Sequence, residues 1–168
     1  MSRSSSLCQL AALLVVAAPC SARADLPAAI AAPGEIPVAT MHAEGAQIYD
    51  CKADASGKLI WQFREPIATL LMDGKTVGRH YAGPSWELQD GSAVSGKVAA
   101  RHPGATPGDI PLLMLSAHSQ RGSGLLGGVA TIQRINTKGG LADGPCTIAG
   151  ALLSVPYTAD YTFLKKNP

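Results

Sequence analysis

The run from Gly78 to Ser92, GRHYAGPSWELQDGS, gathers a histidine, a tyrosine, a tryptophan and two carboxylates around Gly-Pro and Asp-Gly turn signals. Imidazole can accept a proton or ligate a metal, and a tryptophan nearby can serve as a platform for a sugar or another flat apolar ligand. On a strand counted from Val77, a period of two puts Gly78, His80 and Ala82 on one face and Val77, Arg79 and Tyr81 on the other. His80 then sits between two small neighbours. They leave room for a ligand, or for the close approach of another backbone that a tight sheet needs, with the imidazole bonded to a carbonyl.

Trp86 reads either as a ligand platform or as core beneath the Gly83-Pro84 turn, and Trp61 reads as core. Glu87 falls opposite Trp86, toward solvent, and Asp90 reads as a turn former whose carboxylate bonds nearby amides. Arg134, inside the alternating run IQRINTKGG, can bind a ligand carboxylate or form a structural ion pair with an acidic loop residue. The candidate ligand-binding set is therefore His80, Tyr81, Trp86, Glu87 and Arg134.

A metal centre is the sharpest alternative, because His42, Glu44, His80 and His118 are the right ligand types. The spacing does not help it, since neither H-x-H nor H-E-x-x-H occurs. Ser85, Ser92, Ser95 and Ser116 are available as nucleophiles, but none lies in a G-x-S-x-G elbow. Paired carboxylates for glycoside hydrolysis can be drawn from Glu44, Glu65, Glu87 and Asp90, with nothing in the sequence to fix their separation. The glycine-rich RGSGLLGG at 121–128 spells neither a phosphate-cradling loop nor a dinucleotide fingerprint, so no cofactor is expected.

The elements that must position these residues read as short strands. Residues 46–53 and 58–64 form a hairpin around the DASGK turn, with Leu59, Trp61 and Phe63 alternating against polar neighbours. Residues 68–72 and 76–82 meet at Asp73-Gly74, a strong hairpin signal. Further strands are read at 86–89, 93–100, 110–116, 129–136 and 158–164, the last with Tyr161 and Phe163 on one face. No segment sustains an i, i+3, i+4, i+7 apolar face. The expected fold is all-β: a single-domain antiparallel β-sandwich or partly closed β-barrel of about eight short strands.

Arg3, a short apolar run from Leu7 to Ala18, and Ala22 and Ala24 at an A-x-A-like site have the layout of a secretory signal peptide over residues 1–24. The run is too short to span a bilayer. Cys20 invites a lipid-anchored alternative, against which Pro19 stands directly before it. Residues 25–40, with Pro27, Pro33 and Pro37, read as a Pro/Ala-rich N-terminal arm, and residues 41–168 as one β domain.

Cleavage would remove Arg3 and Arg23 and leave 12 basic side chains against 12 acidic ones. Such a balance lacks the basic footprint of a nucleic-acid partner, and stable membrane insertion is not expected. Cys8 and Cys20 would leave as well, so only Cys51 and Cys146 remain to form a disulfide in an oxidising compartment.

Several runs together suggest a family: HAEGAQIYDC at 42–51, Trp61, GRHYAGPSWELQDGS at 78–92, IPLLML at 110–115, IQRINTKGG at 132–140 followed by Cys146, and PYTADYTF at 156–163. Their order and the pattern H-Y-A-G-P-x-W-x-x-x-D-G-S resemble a family of exported bacterial and fungal proteins catalogued as a domain of unknown function. The resemblance covers nearly all of the chain from about Ala39 and implies no particular activity. The expectation is thus a periplasmic or secreted β domain that binds a small extracellular ligand or an envelope component, or serves as a structural module. A metal-dependent enzyme centred on His80 is the alternative.

Overall fold

The computed structural model describes residues 26–168. The expected signal peptide lies outside them. Eight antiparallel strands run in chain order: β1 (Glu35–Ala53), β2 (Leu59–Met72), β3 (Lys75–Tyr81), β4 (Ser85–Leu88), β5 (Ala93–His102), β6 (Leu112–Arg121), β7 (Thr131–Gly139) and β8 (Leu152–Lys166). Each pairs with its neighbours in sequence, and β8 returns to pair with β1, so one sheet closes into a ring. The ring is an irregular barrel, with register shifts at Ile48/Tyr49, Leu70/Leu71 and Ser95/Gly96 among others. Of the two architectures expected, closure selects the barrel, in which every strand is paired on both sides over part of its length.

Local chemistry explains the tight joints. Asp73 and Gly74 both have positive φ, at 50° and 73°, as a two-residue hairpin turn between β2 and β3 requires. Asp90 accepts from the Ser92 amide at 2.8 Å and the Ser92 hydroxyl at 2.6 Å, and its second oxygen accepts from the Leu125 amide at 2.7 Å. One carboxylate thus shapes its own turn and pins the glycine-rich 121–128 loop, whose Leu126 is fully buried.

Three strands are much longer than the sequence suggests. β1, β2 and β8 have 19, 14 and 15 residues, and each contains a proline, a residue that cannot donate to a strand ladder. The prolines sit where one side of the strand has no partner. Pro37 precedes the β1–β2 ladder, which starts at His42, and Pro66 precedes the β2–β3 ladder, which starts at Ala68. Pro156 lies just beyond the β7–β8 ladder, which stops at Tyr157. A missing N–H costs no ladder bond there. β1 also starts at Glu35, inside the segment expected as an arm. Ahead of it a 3₁₀ turn at Ala28–Ile30 buries Ile30, whose carbonyl accepts from Gln133 Nε2 at 2.6 Å.

Alternation along each strand sends Met41, Leu70, Leu88, Val94, Leu115, Ile132 and Phe163 into the barrel, where they fill one end together with Leu126 and Val129. An eight-stranded barrel is just wide enough to be packed with side chains or to hold one small ligand. This chain does both, at opposite ends.

Candidate functional site

The unfilled end is a cavity of about 640 Å³ inside the barrel, within the range usual for small-molecule sites. Its walls combine Trp61, Phe63, Tyr49 and Pro66 from β1 and β2, with Trp86, His80 and Tyr161 deeper in. Pro111, Leu141 and Ala142, from the loops on either side of β6 and β7, complete the rim. These loops are held in place. Asp109 accepts from the Gly139 and Thr106 amides, Leu141 N–H donates to Gly108 O, and Tyr49 Oη donates to Gly140 O at 2.7 Å. Cys51 at the end of β1 is disulfide-bonded to Cys146 in the second loop, as the sequence leads one to expect.

His80 points inward from β3 and is 2% exposed. Its ring stacks on Trp86 with centroids 4.6 Å apart at 9°, and Tyr161 lies 4.8 Å away. Nδ1 is 2.8 Å from Ser85 O, and because a carbonyl only accepts, Nδ1 carries the hydrogen and Nε2 is left unprotonated in the neutral ring. Burial drives its pKa down from 6.5 to about 3, the Ser85 bond opposes this, and the Arg134 charge adds to the fall. His80 is therefore neutral at pH 7 and a weak base. The space beside it on β3 is already taken: a Cβ on Gly78 would lie 2.2 Å from Glu87 O, so the glycine admits the β4 backbone and not a ligand.

Arg134 points inward from β7, paired with Leu113 on one side and Tyr161 on the other. Its Nε donates to Pro111 O at 3.0 Å. Its charge is felt by Tyr49, His80, Tyr157 and Tyr161, in each of which it acts to lower the pKa. Burial outweighs it in the tyrosines and raises all three. No ion pair engages Arg134 among the described residues, so the acidic partner considered from sequence is not what holds it.

The five sequence candidates divide across the barrel wall. His80, Trp86 and Arg134 line the cavity. Tyr81 and Glu87 are outside: Glu87 Oε2 accepts from Arg79 Nη2 at 2.9 Å and from Tyr81 Oη at 3.1 Å, while Oε1 accepts from Arg121 Nη2 at 2.8 Å. These bonds, the Arg79 one foremost, hold the Glu87 carboxyl below its ordinary pKa. Trp86 is fully buried, whereas Trp61, expected as core, is only half-buried at the mouth.

The four metal-ligand candidates are scattered. His42 and Glu44 lie on the exposed face of β1, where His42 Nδ1 meets Asp160 Oδ1 at 2.7 Å; His118 is exposed on β6, and His80 is inside. Among the described residues no three His, Cys, Asp or Glu side chains form a group that could hold a metal ion.

The sequence reading missed Gln47, Tyr49, Arg101 and Tyr161 as cavity residues. A signal for the first two was present. Counting back from Cys51 in steps of two gives Tyr49, Gln47, Gly45, Ala43 and Met41, a face of apolar and small residues with one amide in it. Gln47 is 2% exposed and lies beside the Tyr157 hydroxyl, yet its Nε2 makes no well-formed hydrogen bond among the described residues. Trp86 Nε1 is likewise buried and unpartnered.

No curated protein and no solved structure matches the chain. A family model does match, over residues 32–165, and these span all eight strands except the last residue of β8. The chain accordingly belongs to the family described as protein of unknown function DUF3455.

Proposed function

We propose that this protein is an exported small-ligand-binding barrel whose site is the cavity at the open end. The observation that carries this reading is a cavity of about 640 Å³ lined by five aromatic side chains, His80 and three prolines, left open beside a packed apolar core. Aromatic and apolar walls with a few polar groups are the usual composition of a small-molecule site.

The outer face supports water rather than lipid around the barrel. His42, Glu44, Arg79, Lys97 and Arg121 all stand exposed on strands, where a membrane barrel would carry an apolar band. No helix among the described residues is long and apolar enough to cross a membrane. A disulfide fits an extracytoplasmic compartment.

The test is uptake of N-phenyl-1-naphthylamine, a neutral dye whose fluorescence rises in apolar surroundings. The mature protein should take up one equivalent, and Ala142→Trp, a substitution on the half-buried rim, should weaken uptake about tenfold or more. Absence of uptake by the mature protein, or undiminished uptake by the rim variant, overturns the reading.

A further inference from the structure

The polar groups that line the cavity are unequal in kind. No carboxylate is among them, while three arginines are: Arg64, Arg101 and Arg134. Arg64 is neutralised at the rim by Glu65 at 3.0 Å and Asp50 at 3.6 Å. Arg101 and Arg134 have no ion pair among the described residues. Arg134 is half-buried, and its Nε bond to Pro111 O uses one of the five guanidinium donors. Leaving such a cation in a concave apolar site without a counter-charge is costly, and low-dielectric walls focus its field on whatever enters.

Two further donors, Gln47 Nε2, which only approaches the Tyr157 hydroxyl, and Trp86 Nε1, are buried without a well-formed hydrogen bond on residues that line the same cavity. Buried N–H groups left unpaired in a protein call for an acceptor that is not part of the chain. A cation and two orphaned donors, set among aromatic rings, form the complement of a compact anionic acceptor attached to an apolar body.

We infer that the ligand is an organic carboxylate with an apolar or aromatic body, and that Arg134 is the residue that recognises its charge. The inference rests on the ligand-cavity reading above and adds to it the class of ligand. A carboxylate suits the guanidinium fork, which presents paired N–H donors in matching geometry. The apolar body would lie against Trp61, Phe63 and Pro66 toward the mouth.

The experiment displaces N-phenyl-1-naphthylamine at pH 7.5 with octanoate and with octanamide, which has nearly the same shape and no charge. A charge-assisted hydrogen bond predicts that octanoate competes roughly 10- to 100-fold better than octanamide. In Arg134→Gln the ratio should collapse toward one, Arg134→Lys should restore part of it, and Arg121→Gln, on the outer surface, should leave it at the wild-type value. If wild-type protein binds the dye and octanamide displaces it as well as octanoate does, the charge inference fails while the cavity stands. This comparison needs no variant, so a folding defect in Arg134→Gln does not shelter the inference. If the dye itself is not taken up, both readings fall together. An unchanged ratio in a folded Arg134→Gln, checked by circular dichroism, would assign the selectivity to another residue and overturn the role given to Arg134.

Discussion

At the scale of single residues, His80 shows how one side chain can look catalytic and be something else. Its neighbours are Trp86, Tyr161, the Ser85 carbonyl and the Arg134 charge, and burial dominates in lowering its pKa to about 3. An unfolded histidine titrates near 6.5. Between those values the unfolded chain binds a proton that the folded chain refuses, so this contribution to stability is complete above pH 6.5 and drains away as pH falls toward 3. The carboxylates held below their ordinary pKa, including Asp50, Asp54, Asp90 and Asp109, give up stability only at lower pH, below about 4.5. The window from pH 7 to 5 therefore belongs to His80. Chemical denaturation across it should show a loss of about 2 kcal/mol in the wild-type protein and a nearly flat profile in His80→Gln. Parallel profiles would mean that His80 is protonated in the native barrel.

At the scale of elements, the placement of His80 depends on a strand pair that the motif encodes through its glycine. β4 is only four residues long, and it is set between β3 and β5 by the pairs His80–Trp86 and Trp86–Val94. Gly78 faces Leu88 in that ladder, and an added Cβ would come within 2.2 Å of Glu87 O and 2.8 Å of Leu88 Cδ2. Gly78→Ala must push β4 away and tilt Trp86 off the imidazole. It should cost about 1–3 kcal/mol and alter the near-ultraviolet circular dichroism of the stacked ring; a variant as stable as wild type with an unchanged spectrum would refute the close approach. Parity along β3 was legible in the sequence, which set His80 opposite Arg79 and Tyr81, while the inward turn of that face follows from closure of the ring. Whether the gap beside His80 held a ligand or a backbone was not legible, because that depends on which strand lies alongside. Tyr81 and Glu87 do not meet that limit: parity alone sets Tyr81 opposite His80 and Glu87 opposite Trp86, and pleating carries both to the outer side of the wall although they share a motif with His80. Strand length was misread for a related reason, since the cost of a proline is set by the partner across the ladder and not by its neighbours in the chain.

At the scale of the whole molecule, closure and the disulfide divide the work of stability. The β1–β8 ladder runs from Glu35↔Lys166 to Asp50↔Leu152 and joins the ends of the barrel without help from the cysteines. Cys51 and Cys146, 95 residues apart, instead tie the loop that carries Leu141 and Ala142 over the cavity rim. Backbone bonds secure that loop at both ends, through Leu141 N–H to Gly108 O and through Cys51 N–H to Ala151 O. Its middle is held by the disulfide and the Ile60–Pro145 bridge. Reduction should therefore leave the barrel formed, with unchanged far-ultraviolet circular dichroism at 25 °C. The released chain gains entropy mainly when unfolded, and the loop-closure relation for a separation of this size gives a loss of about 4–5 kcal/mol. That corresponds to a fall in Tm of roughly 10–15 °C. Intact mass of protein prepared from an oxidising compartment should rise by two hydrogens on reduction, and two free thiols before reduction would remove the tether. Collapse of the barrel on reduction would show that the loop, and not the β1–β8 ladder, holds the ends together. The rim would then be part of the fold's foundation and not a separable wall of the ligand cavity.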